Sequence, residues 1–200
     1  MDIIFDVGGV LLNWNPRTEL QKLFPNADVQ QMIIDKIVRN EIWKSYDAGT
    51  LTSRELVSKA SSATSIPEET LGRMLKLFRD SMTPKEDTVS LVKQLNHEGH
   101  SLYVLSNMPH EMADFLLEKY SFWEEFNGIV FSGHIGKIKP DQAIYAYIME
   151  KYALKPGEAV FIDDMDENLP NAEAAGLRTI RFTDAASCRE ALHNLISSPA

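Results

Sequence analysis

The sequence predicts an α/β fold: a parallel sheet of five strands, or slightly more, flanked by helices, with an α-helical cap inserted after the first strand. Three observations carry that prediction. Five short apolar, β-branched segments stand apart along the chain, helical periods separate most of them, and one long stretch after the first strand is helical throughout.

The first strand is Ile3 to Val7, closed by Gly8-Gly9. From Asn15 to Lys85 the strand-helix alternation stops. This stretch holds the turn Asp47-Ala48-Gly49, a capping box of Thr52 with Glu55, and Leu71, Met74, Leu75 and Phe78 at helical spacing. Residues 15–85 are therefore assigned to the cap, and 1–14 with 86–200 to the core. A second capping box, Thr83 with Glu86, opens a helix carrying Val89, Val92 and Leu95 that ends at Gly99. Strands follow at Leu102 to Leu105 and Ile129 to Phe131. Lys139-Pro140 opens a helix with Ile144, Tyr147 and Ile148, and two more strands lie at Ala159 to Ile162 and Thr179 to Phe182. A helix from Glu167 stands between them, and Ser197 to Ala200 reads as a frayed tail. Strands alternating with helices make a parallel sheet covered on both faces, and such sheets bind ligands at the carboxyl ends of their strands.

Composition narrows the function. A chain of 200 residues, 44% hydrophobic, buries one full core with a modest insertion. A net charge of −9 without any dense run of Lys and Arg argues against nucleic acid and against anionic membrane, leaving small molecules as partners. The single cysteine, Cys188, permits no intramolecular disulfide and reads as an inert thiol on the last helix. With no signal sequence and no apolar run of membrane-spanning length, the expected location is the cytoplasm.

The chemistry-bearing residues lie where the strands end. Asp6 is followed at once by two glycines, whose backbone can approach a ligand closely. Asp163-Asp164 ends another strand, and acids brought near Asp6 repel one another unless a cation intervenes. Mg²⁺ suits that need, since it is held by one or two carboxylates with waters and substrate phosphate. Ser106-Asn107 offers a hydroxyl, an amide and backbone N–H groups to phosphate oxygens, and the Lys139 ammonium can neutralise a phosphate or a nucleophile. Each signal alone reads as readily as a turn, a helix cap or a solvated lysine. Together they make a complementary set: nucleophile, phosphate donors, cation and metal acids.

In this order the four motifs resemble those of the haloacid dehalogenase superfamily, over essentially the whole chain. The resemblance implies a Rossmann-like core and a helical cap that governs substrate choice. It implies Asp6 as nucleophile and metal ligand, with the Gly8 backbone carbonyl as a further ligand. Ser106, Asn107 and Lys139 would bind the transferred group, Asp164 would hold Mg²⁺, Asp163 would be an auxiliary metal acid, and Asn168 stands where many relatives carry another acid. Trp43, Tyr46 and Gly49 fall in a part of the cap that lines the site in relatives. The expected activity is Mg²⁺-dependent hydrolysis of a small phosphate ester through an aspartyl-phosphate.

One departure matters. Phosphatases of the superfamily carry Asp-x-Asp at the first motif, and the second position here is Gly8. That removes a general acid and base worth about 10²- to 10⁴-fold in rate. The motif set is similar to a cap-bearing branch that includes an α-D-glucose-1-phosphate phosphatase, also with glycine at this position, which points to sugar phosphates. His110 and His134 are candidate substitute proton carriers, with ordinary surface histidine the preferred reading of each. The competing expectations are a 2-haloacid dehalogenase, whose halide leaves without a proton, and a weakly catalytic phosphosugar-binding or regulatory module. The paired acids Asp163-Asp164 favour phosphoryl transfer with Mg²⁺ over dehalogenation, and Mg²⁺ binding without turnover on a broad panel of phosphate esters would favour the module.

Overall fold

A computed structural model describes residues 1–197. The expected tail lies outside the described residues beyond Ser197, which closes the last helix. The strands are β1 (Asp2–Phe5), β2 (Ser101–Ser106), β3 (Gly128–Phe131), β4 (Ala159–Asp163) and β5 (Arg178–Arg181). They form one sheet in the order β3-β2-β1-β4-β5, every pair parallel.

Side chains alternate across the sheet, so each strand feeds two cores. Ile3, Phe5, Leu102, Val104, Val160 and Ile162 belong to one buried cluster; Ile4, Tyr103, Leu105, Ala159 and Phe161 belong to another. The first face is covered by α6 (Glu86–His97), α7 (His110–Lys119) and α11 (Ala185–Ser197), and the second by α9 (Gln142–Lys151) and α10 (Leu169–Ala174). Each fully buried aliphatic or aromatic side chain contributes about 1.5–3 kcal/mol, which is why β1, apolar on both faces, takes the centre. Cys188 is buried on α11, and burial, with Asp184 nearby, pushes its thiol up to about 12.

Residues 16–81 form α1 (Pro16–Leu23), α2 (Ala27–Ile33), a π-helical turn at Ile34–Val38, α3 (Glu41–Asp47), α4 (Ser53–Thr64) and α5 (Glu68–Ser81). They enclose a third cluster that includes Leu20, Ile33, Ile37, Trp43, Leu71, Met74 and Phe78. The Thr52–Glu55 capping box is present at the start of α4. Two chain segments join this layer to the sheet, and they run side by side: Asn13 N donates to Thr83 O at 2.8 Å, and Lys85 N to Leu11 O at 2.9 Å.

Three local expectations are corrected. Thr83 does not cap α6; Lys85 is the cap residue, and Thr83 Oγ1 instead accepts from Asn13 Nδ2 at 3.0 Å across the two connections. The helix after Lys139 opens at Gln142 with Asp141 as its cap, two residues past Pro140, while Ser132–Ile135 forms a one-turn helix, α8, directly after β3. The helix expected from Glu167 begins at Leu169, with Asn168 at the cap and Pro170 in its first turn.

Candidate active site

Strand register assembles the site. Phe5 is level with Val104 on one side and Ile162 on the other. The next residues, Asp6, Leu105-Ser106 and Asp163-Asp164, therefore emerge together at the carboxyl edge of the three central strands. Asp6 N donates to Ile162 O at 2.9 Å, extending the ladder by one bond and fixing the backbone from which its carboxylate departs. Gly9 then turns the chain at φ +79°, a conformation that favours glycine, and any Cβ there would collide with the Asp164 carboxylate. The same loop is pinned from beneath by Lys85 Nζ, which donates to Gly9 O at 2.7 Å.

Lys139, 4% exposed, is the hub. Its Nζ donates to Asp163 Oδ2 at 2.6 Å and forms an ion pair with Asp6 Oδ1 at 2.8 Å. Burial disfavours the ammonium, yet Asp6 and Asp163 outweigh it and hold Lys139 above its ordinary value. Burial pushes Asp6 from 3.8 to about 6; Lys139 pulls the other way, Asp163 adds to the rise, and the Ser106 hydroxyl lowers it. Burial and Asp163 raise Asp164 as well.

The two acids of the pair differ in what they can still bind. Asp163 is fully buried, and both its oxygens are engaged: Oδ2 by Lys139 Nζ and by Asn168 Nδ2 at 2.9 Å, Oδ1 by Met165 N at 2.7 Å. Asp164 instead faces the cavity. The ligand atoms of Asp6, Asp163 and Asp164 lie within 4.8 Å of one another, three carboxylates against one ammonium. That local excess of negative charge, with the Asp164 carboxylate packed against the bare backbone of Gly9, fits a hard divalent cation.

Asn107 is committed elsewhere than expected. Its side-chain amide makes two hydrogen bonds to the backbone of Lys139, so it orients the lysine, and the second N–H of its Nδ2 remains open at the cavity floor. Asn168, likewise, holds Asp163, and its carbonyl accepts from Tyr145 Oη at 3.0 Å.

Above this edge lies a cavity of about 900 Å³ between the sheet loops and the helical segment. Asp6, Gly8, Ser106, Asn107, Lys139 and Asp164 line its floor; Trp14, Ile34, Val38, Trp43 and Asp47 line the wall opposite. Trp43 is buried against Trp14 and Phe78, with ring centroids 5.9 and 6.0 Å away. A Cβ at Gly8 would meet Trp14 at 3.6 Å, ordinary contact, so the indole packs over the position where an acid is missing.

Tyr46 and Gly49 do not line this cavity: Tyr46 bonds Ser53 Oγ at 2.7 Å, and Gly49 packs on the backbone of Gly133. His110 and His134 stand outside it too, both reaching the exposed carboxylate of Asp114, at 3.2 and 3.1 Å. Asp47 does line it, and the sequence offered only a turn signal there.

Residues 3–176 match the haloacid dehalogenase-like hydrolase family model, and the chain belongs to that family. A sesquiterpene phosphatase of Aspergillus oryzae is 28% identical over 94% of this chain and 92% of its own length. A drimenol cyclase of Aspergillus calidoustus is 27% identical over 99% of this chain, which spans 37% of that protein. A haloacid dehalogenase family enzyme of Bacteroides thetaiotaomicron, solved with magnesium and inorganic phosphate, shares the fold at a TM-score of 0.71 and 19% identity, covering 94% of this chain and 98% of that one. Among the described residues no helix is long and apolar enough to cross a membrane.

Proposed function

We propose that this hydrolase acts on phosphate monoesters of small molecules, with Mg²⁺, through a phosphoryl group carried on Asp6. The observation that carries the reading is the placement of Asp6: a buried carboxylate at the cavity floor, paired with Lys139, with a second acid, Asp164, beside it. A haloacid substrate gains nothing from the added negative charge of Asp164, whereas a phosphate brought there with a cation does.

Asp6, Asp164 and the Gly8 carbonyl are the groups assigned to the metal. When bound, Mg²⁺ would neutralise phosphate and carboxylate charge and so let the two approach. Asp163, with its oxygens engaged, holds Lys139 in place. The Asp6 carboxylate attacks phosphorus in line as the ester oxygen departs, while Lys139 Nζ and the Ser106 hydroxyl stabilise the equatorial oxygens. Asn107 keeps Lys139 aimed, and water then cleaves the aspartyl-phosphate.

Residues 15–85 serve as a cap in this reading, with the paired connections at 13–16 and 81–84 as hinges and Trp14 and Trp43 facing the leaving group. Their aromatic faces suit a sugar ring, the class favoured by the first-motif glycine, and also suit an apolar chain of the kind named in the sesquiterpene phosphatase. The test is phosphate release from p-nitrophenyl phosphate and from a panel of sugar and prenyl phosphates, with Mg²⁺ or chelator, for wild type and Asp6→Asn. Metal-dependent release lost in Asp6→Asn supports the reading. A folded wild type silent across the panel overturns it in favour of dehalogenation or binding alone.

A further inference from the structure

Asp47 is an acid with no structural partner in a place where chemistry needs one. It is the last residue of α3, and among the described residues of 15–85 it is the only carboxylate on the cavity wall, across from Asp6 and Lys139. Its backbone is firmly held. Asp47 O accepts from Ser132 Oγ at 2.5 Å, and that hydroxyl in turn accepts from Met108 N at 2.9 Å, tying the end of α3 to the loops after β2 and β3. Gly49, at φ +70°, packs so closely on Gly133 that a Cβ would collide with its carbonyl. The Asp47 carboxylate itself makes no hydrogen bond and no ion pair among the described residues. An acid that faces a cleft without a protein partner of its own is a candidate for a functional role.

Gly8 leaves the ester oxygen without the usual proton donor, and neither His110 nor His134 reaches the cavity. Resting on the phosphohydrolase reading above, we propose that Asp47 is the general acid and base of the reaction, delivered from the helical segment. In the first half-reaction the Asp6 carboxylate forms a bond to phosphorus, the bond from phosphorus to the ester oxygen breaks, and that oxygen takes the proton of the Asp47 carboxyl. In the second, a water oxygen bonds to phosphorus, its proton passes to the Asp47 carboxylate, and the bond from phosphorus to Asp6 breaks. Alcohol and phosphate leave, and both carboxyl groups return to their starting state. Burial pushes the Asp47 carboxyl from 3.8 to about 8, with Lys139 opposing and Asp6 adding, which fits a group that enters the cycle protonated near neutral pH.

This placement couples proton transfer to cap closure. An acid on the first motif would be present whether the cap is open or shut. One at the end of α3 acts only when the α3 end sits on Ser132 and Gly133.

The experiment compares p-nitrophenyl phosphate with an alkyl phosphate, in Mg²⁺, for wild type, Asp47→Asn, Asp47→Glu and Asp6→Asn, with melting curves to show that each is folded. Nitrophenolate leaves without a proton and an alkoxide does not. Asp47→Asn should lose about 10²- to 10⁴-fold on the alkyl ester. On p-nitrophenyl phosphate it should instead release one equivalent of nitrophenolate in a burst and then stall as aspartyl-phosphate accumulates. Asp47→Glu should regain part of the alkyl activity and lose the stall. Equal losses on both esters without a burst, or no loss at all, would overturn the assignment of Asp47 while leaving Asp6 as nucleophile. A wild type inert on both esters, and so indistinguishable from Asp6→Asn, would overturn the phosphohydrolase reading and the role of Asp47 with it.

Discussion

Asn107 and Lys139 are locked to each other by two hydrogen bonds: Lys139 N donates to Asn107 Oδ1 at 2.7 Å, and Asn107 Nδ2 donates to Lys139 O at 2.9 Å. The end of β2 therefore sets the backbone from which the lysine reaches Asp6 and Asp163. Replacing Asn107 with Ala leaves two partly buried peptide groups unpaired, at a cost of about 1–3 kcal/mol each where water cannot reach them. Asn107→Ala should lower both kcat and the melting temperature, and a steady-state assay beside a thermal melt reads the two effects. Full activity in a folded Asn107→Ala protein would show that the lysine needs no such support.

Lys139→Met removes the one cation between two buried carboxylates. Stripping one partner from a buried ion pair costs about 3–5 kcal/mol, and for a chain of this size each kcal/mol lowers Tm by about 2–4 °C. Turnover should vanish, and urea denaturation should show the loss of stability. Because a bound divalent cation would relieve the same repulsion, Mg²⁺ should restore more stability to Lys139→Met than it adds to wild type. A melting temperature unchanged by Lys139→Met would mean that Asp6 and Asp163 are not both charged.

Gly9→Ala tests the place of Asp164 in the metal site. A side chain at φ +79° costs about 1–2 kcal/mol, and its Cβ would also displace Asp164. Calorimetric titration with Mg²⁺ should show weaker binding, and the Mg²⁺ concentration needed for half-maximal turnover should rise. Unaltered Mg²⁺ affinity would remove Asp164 from the metal site.

One part of the pH dependence of stability comes from Asp47. Its carboxyl holds a proton up to about 8 in the folded chain, whereas an unconstrained aspartate releases one near 3.8. Between those values the folded state binds more protons than the unfolded state, so the contribution of Asp47 to stability falls as pH rises from about 4 to 8 and is level above that. Asp47→Asn has no such group to deprotonate. Without Mg²⁺, the melting temperature of Asp47→Asn minus that of wild type should grow across that window and then flatten. A difference independent of pH would place the Asp47 carboxyl at an ordinary value.

The sheet was legible because its signal is local and strong. Segments such as Ile3-Ile4-Phe5 and Val160-Phe161-Ile162 have no polar alternation, and a strand buried on both faces needs none. Asp6, Ser106 and Asp164 were legible for a related reason: in a parallel sheet the strand ends converge, so sequence position alone brings these residues to one edge, whereas Lys139 lies past α8, beyond the end of β3. Helix boundaries were less so. Thr83 and Glu86 have the spacing of a capping box, but Asn13, 70 residues away in the chain, takes the Thr83 hydroxyl first.

What the amino-acid sequence determined by itself is the five strands, the helical insertion and the set of groups that meet at the carboxyl edge. What only the tertiary structure decided is how those groups divide the work. Asp163 looks as available as its neighbour in the chain, yet both its oxygens are taken up by Lys139, Asn168 and Met165, and Asn107 spends its amide oxygen and one N–H on the backbone of Lys139. Asp47 looks like a turn residue, yet the packing of Gly49 on Gly133 and the bond from Ser132 carry it to the cavity wall. Hydrogen-bond capacity and burial depend on neighbours distant in sequence: the folded core brings Lys139 to Asn107 and Asp163, and the docked helical segment brings Asp47 to the cavity.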